Sequence, residues 1–237
     1  RGLEVTQIQN ITDVDDKVIE KAHEEKTDYR QIAEENTEEY LEACDLLGIK
    51  RASFYPRSSQ HIEEMIGLIE RLFDKGVAYQ VDGDVYYEVS KFKDYGKLSK
   101  IDLDKIRLGK TVDLEQYEKE NPRDFTLLKR STLSELKKGV FYKTAWGNIR
   151  PSWHLECPAM AMKILGGTYD IHMSGADLIF PHHENAIAIS EAVTGKPLAN
   201  YWLHNELVMV NGKKPSRASH NDILTIRQIQ ERGYTGR

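Results

Sequence analysis

The chain has 237 residues, 33 Lys and Arg against 38 Asp and Glu, a formal net charge of −5 at pH 7 and 40% hydrophobic residues. That length holds one large domain or a domain carrying an insertion. The negative balance excludes a protein that coats nucleic acid non-specifically. No apolar run approaches the ~18 residues that a membrane-spanning helix needs, and the opening RGLEVTQIQN lacks the apolar centre of a signal peptide. Cys44 and Cys157 are too few and too far apart for a disulfide framework, so a reducing cytoplasm is the expected location.

Val5 to Gln9 reads as a short strand running into NITDVDD, where Asp15 or Asp16 can cap a helix starting near Lys17. Asp13, Asp15 and Asp16 read as loop caps and helix-terminal charge rather than metal ligands. Ile32, Ala33, Thr37, Tyr40, Leu41, Cys44 and Leu47 fall on one face of a second helix ended by Gly48, with Cys44 a buried thiol. A third helix from about Gln60 to Lys75 buries Ile62, Met65, Ile66, Ile69, Leu72 and Phe73. Val77 to Val89 alternates around Asp82-Gly83-Asp84, a hairpin signal.

From Ser90 to Lys143 the pattern is irregular and charged, and residues 77–150 read as an inserted subdomain. Lys91, Lys93, Lys97, Lys100, Lys105, Arg107 and Lys110 make it locally basic, either a solvated face or a contact with a phosphate backbone. Regular alternation resumes at Trp153. Pro158 at a first helical position would put Cys157 at a helix N-terminus, where the thiol pKa falls and metals bind the thiolate. Tyr169 to His172 is a predicted strand. Pro181 opens a helix with His182 and His183 in its first turn and Gly195 at its end. Trp202 to Val210 is strand-like, followed by a Lys-rich loop and a last helix near Asp222 to Arg232. Strand, loop and helix repeated in this way predict an α/β fold whose parallel sheet binds ligands at the strand carboxyl ends.

The densest chemistry lies in YDIHMSGADLIFPHHENA, residues 169–186, with Cys157 just upstream in SWHLECPAMAM. Three histidines, two acids, a glycine and a nearby thiol are raw material for a zinc or nucleotide site. His154 reads equally well as a core histidine.

Together, NITDVDDK, SWHLECPAM, DIH followed by GADLIFPHHEN, and the Lys-rich loop before NDILTIRQI resemble the cysteinyl-tRNA synthetases, class I aminoacyl-tRNA synthetases. The resemblance covers nearly the whole chain. It implies a Rossmann-type parallel-sheet catalytic domain, residues 1–76 and 151–237, interrupted by a mixed α/β connective insertion at 77–150. It also implies activation of cysteine with ATP and Mg2+ to cysteinyl-adenylate, then transfer to tRNA. Thr12 and Trp153 would line the cysteine pocket, His172 would face it, and Gly175 with Asp177 would meet the adenylate ribose. Lys214 and Arg217 would serve the ATP phosphates. Cys157 and His182 match two of the family's Zn2+ ligands, where a soft metal tells a thiol from a hydroxyl.

The chain departs from the pattern in several places. Ala186 stands where the family has a ligating Glu, and the family's other cysteine ligand and His-Ile-Gly-His signature would lie before Arg1. Where the family has Lys-Met-Ser-Lys-Ser, the chain reads Lys214-Pro215-Ser216-Arg217-Ala218, in which Pro215 removes an N–H. The turn after DIH is Met173-Ser174-Gly175, with a single glycine. A helical anticodon-binding domain would follow Arg237. The expectation is therefore a ligase fragment, silent in isolation, weak or absent in tRNA binding, and open to a protein partner supplying the missing half-domain. Two other expectations are a cysteine ligase of the mycothiol type acting on a small amine, and a non-catalytic paralogue that binds a nucleotide or a protein.

Overall fold

Asp15 starts the first helix as the acidic loop predicts: its carboxylate accepts the Lys17 N–H at 2.9 Å, and α1 runs Asp16–Glu25. Asp28 caps α2, Tyr29–Leu46, whose buried face carries Ile32, Ala33, Thr37 and Cys44. The Asp13 carboxylate accepts from the Ser59 N–H at 2.8 Å and its hydroxyl at 2.5 Å. Asp15 thus caps the helix, Asp13 pins the loop, and Asp16 adds negative charge in the first turn. The expected strand at Val5–Gln9 is reduced to isolated parallel bridges, Ile8 with Phe54 and Ile11 with Arg57. Pro56 has no N–H to extend that ladder. A computed structural model describes residues 2–101, 123–209 and 225–235. These first elements, with a short C-terminal helix Ile226–Glu231, form one of two compact units, Arg1–Ser59 with Glu206–Arg237.

The second unit is Gln60–Asn205. Helix α3, Ile62–Asp74, buries Met65, Leu68, Ile69 and Leu72. Strands β1, Ala78–Val81, and β2, Asp84–Tyr87, form the predicted hairpin. Both turn residues are left-handed, Asp82 at φ 51° and Gly83 at φ 94°, as a two-residue turn between twisted strands requires.

Within the stretch that read as irregular lies β3, Phe125–Arg130, followed by helix α4, Leu133–Lys137, with a Thr132–Glu135 capping box. Then come β4, Tyr142–Thr144, and β5, Gly147–Pro151. The strands pair antiparallel in the order β1-β2-β3-β5-β4. Helix α5, Trp153–Leu165, follows. Strand β6, Tyr169–Gly175, helix α6, Glu184–Thr194, and β7, Ala199–Asn205, make a βαβ unit with β6 and β7 parallel and in register, His172 opposite Trp202. The fold is mixed α/β. Its core joins Leu68, Ile69 and Leu72 of α3 to Tyr87, Leu127, Ile149, Leu155 and Ile189. No helix among the described residues is long and apolar enough to cross a membrane.

Candidate functional site

Alternation along β6 and β7 sorts their side chains onto two faces. Ile171, Met173, Tyr201 and Leu203 share one face and are exposed. His172, Ser174, Trp202 and His204 share the other, where the residues before α6 meet them. His172 stacks on Trp202 at 4.5 Å between ring centroids and its Nδ1 lies 2.7 Å from the Tyr169 hydroxyl. His183 joins Ser174 Oγ through Nε2 at 2.9 Å and His204 through Nδ1 at 3.1 Å.

His182 and His183 were expected in the first turn of a helix opened by Pro181. They sit instead in an irregular turn in which Phe180 is extended, φ −129° and ψ 132°, and regular α-helix begins at Glu184. The kink swings both rings inward, and both are buried. His182 stacks against Trp153 at 4.1 Å and 17°, and its Nδ1 meets His154 Nδ1 at 3.1 Å. Burial first, then neighbouring imidazoles, pulls the pKa of His182 and of His183 down to about 3, the Asp177 charge opposing this at His183. Burial and then His204 bring His172 down to about 4. These three rings are neutral at pH 7 and serve as hydrogen-bonding and stacking surfaces.

Gly175 ends β6, and a Cβ there would lie 2.5 Å from Asp177 Oδ1. The carboxylate folds over the glycine, so a side chain at 175 would displace it. Trp153, His172, Gly175, Asp177 and His182 thus gather around the carboxyl end of the β6–β7 pair. Thr12 belongs to the other unit, where it lines a cleft of about 760 Å³ with Gln9, Asn10, Asp15, Lys17 and Tyr40. Lys214 and Arg217 lie outside the described residues, as do Lys105, Arg107 and Lys110. His204 and Ser174 escaped the sequence reading. Their signal was the two-residue spacing from Trp202 and His172 along strands that carry one chemistry on one face.

Cys157 requires a correction. Helix α5 starts at Trp153, so Cys157 is its fifth residue and Pro158 its sixth, well inside rather than at the N-terminus. Burial, then the adjacent Glu156 charge, pushes the thiol up to about 12, the reverse of the expected lowering. Ala186 is buried, 1% exposed, and offers a methyl group. Among the described residues no group of three or more His, Cys, Asp or Glu side chains is arranged to hold a metal ion. Among the described residues Cys157 and His182 are only two of the four donors that a structural zinc site takes, so the residues present do not make a complete zinc site.

Residues 1–235 match the family described as "tRNA synthetases class I (C) catalytic domain", and the chain belongs to that family. Its relatives narrow the class. The cysteine–tRNA ligase of Methanosarcina mazei is 46% identical over 230 residues, which is 97% of this chain and 48% of that protein. That of Carboxydothermus hydrogenoformans is 45% identical over 237 residues, 100% and 50% of the two chains. That of Caldicellulosiruptor saccharolyticus is 48% identical over 232 residues, 98% and 49%. The chain spans about half the length of the curated relatives it matches.

Proposed function

We propose that this chain forms part of a cysteine–tRNA ligase, one that activates cysteine with ATP and Mg2+ in the cytoplasm and passes it to tRNA. Supporting this is the gathering of Trp153, His172, Gly175, Asp177 and His182 at the carboxyl end of a parallel strand pair, where open α/β sheets take their ligands. In this reading the cysteine carboxylate attacks the α-phosphorus of ATP and pyrophosphate leaves. A hydroxyl of the terminal tRNA ribose then attacks the acyl carbon and AMP leaves. Trp153 packs the amino acid, His172 faces it as a neutral ring, and Asp177 beside Gly175 takes the adenylate ribose. Lys214 and Arg217 set positive charge against the phosphates. The antiparallel sheet between Ala78 and Pro151 is the connective insertion, with residues 1–76 and 151–237 as the catalytic domain around it. Catalysis of this kind rests on positioning and on cations.

The small-amine ligase reading is not favoured, because the relatives named above are each cysteine–tRNA ligases. A protein partner that completes the site belongs to the proposal as well. The test is calorimetric titration of the 237-residue chain with a non-hydrolysable sulfamoyl analogue of cysteinyl-adenylate. The chain is expected to bind it, Asp177→Ala to weaken binding at least about tenfold, the loss of a charge-assisted hydrogen bond, and pyrophosphate exchange to stay silent. Absence of binding would leave a non-catalytic paralogue, the class to which Ala186 already points.

A further inference from the structure

Glu184 is fully buried, 0% exposed, and directly follows the two histidines that the kinked turn swings inward. Its carboxylate does not face them. It accepts three backbone N–H groups from another part of the unit: Gly96 on Oε2 at 3.0 Å, and Leu98 and Ser99 on Oε1 at 2.8 and 2.6 Å. The contacts continue along α6. The Tyr95 hydroxyl donates to Asn185 Oδ1, and Lys97 pairs with Glu191. The segment is shaped to receive the carboxylate: Gly96 has φ 92°, and a Cβ there would stand 3.3 Å from the Ile101 carbonyl oxygen. Burial and the Glu184 charge hold the Tyr95 phenol above its ordinary range, so it stays a donor.

A buried carboxylate is costly unless hydrogen bonds satisfy it, and apolar packing would join the two segments as strongly. What charge with three directed donors adds is a single fixed geometry. We propose that Glu184 is a positioning residue that locks residues 95–99 to the start of α6 and so fixes His182 and His183 in their inward orientation. The proposed reaction needs those rings held at the carboxyl end of β6, so the inference deepens the reading above and rests on it for its function. The segment and the histidine turn then move as one piece. A load on residues 95–101, the stretch that carries Lys97 and Lys100, is then felt at the imidazoles.

The experiment compares the wild-type chain with Glu184→Gln by NMR. A glutamine keeps one acceptor oxygen for Leu98 and Ser99 but turns an NH2 toward the Gly96 N–H. The Gly96 amide is expected to exchange at least about tenfold faster, with Leu98 and Ser99 changed less, as one charge-assisted bond is lost. The ring nitrogen signals of His182 and His183 are expected to shift toward tautomer averaging, while the methyl signals of Leu68 and Ile69 stay put. Imidazole signals at their wild-type positions despite Gly96 deprotection would overturn the proposal, as would unchanged Gly96 exchange. Glu184→Asp, a shorter carboxylate, is expected to restore part of the Gly96 protection and part of the imidazole shift together; restoring one alone would also overturn it. A parallel titration with the sulfamoyl analogue separates the two readings. If the wild-type chain does not bind the analogue, the functional reading fails, and the coupling stands or falls on the NMR comparison.

Discussion

Ala186 shows how much a single side chain decides. Its methyl is buried three residues beyond His183, at the position where the sequence resemblance calls for a ligating Glu. Ala186→Glu is expected to raise the zinc retained after gel filtration from below stoichiometric to about one per chain, read by atomic emission. Equal retention by both proteins would mean that the metal is held elsewhere or not at all. The neighbouring signature letters divide their labour in a way a string cannot display. In PHHEN His183 turns to the strands and His182 to Trp153 and His154, whereas Glu184 and Asn185 turn to residues 95–99. Sequence showed that chemistry was dense here but not which residue faced what. The kink at Phe180 that sets those directions has no signal beyond the proline itself.

Among the elements, helices with caps and alternating strands were legible because each carries a local cause. Asp15 and the Asp82-Gly83 turn name their own structures. Strand β3 was not legible: Phe125, Thr126, Leu127 and Leu128 are all buried, so no two-residue alternation marks it. Helix α5 was misplaced by a proline that reads as a starter yet sits six residues in. The antiparallel sheet makes two predictions, one in its interior and one in its first turn. Leu127→Ala, at a position 0% exposed, is expected to cost about 2–5 kcal/mol in denaturant unfolding. Gly83→Ala combines φ 94° with a Cβ 2.9 Å from Arg130 Cδ, and is expected to cost roughly 1 kcal/mol, the arginine giving way. A Gly83 variant as stable as wild type would show that the turn relaxes to another type.

At the scale of the whole chain, acid should loosen the fold. His172 takes up its proton at about 4 when folded against 6.5 when free, so the unfolded state binds more protons between those values. Its contribution to stability is therefore complete above about pH 6.5 and is lost progressively as pH falls toward 4. The melting temperature is expected to drop over that window, and His172→Phe to flatten the drop; an unchanged slope would assign acid sensitivity to other groups. The parallel register of β6 and β7 has a further consequence, for how such a chain can change by insertion and deletion. Chemistry and grease alternate residue by residue along both strands, so gaining or losing one residue inside either would turn the imidazoles of that strand outward and bring Met173 or Leu203 in. Length between Tyr169 and Gly175, and between Ala199 and Asn205, is thus frozen, while the turn at Lys196 and Pro197 can lengthen freely.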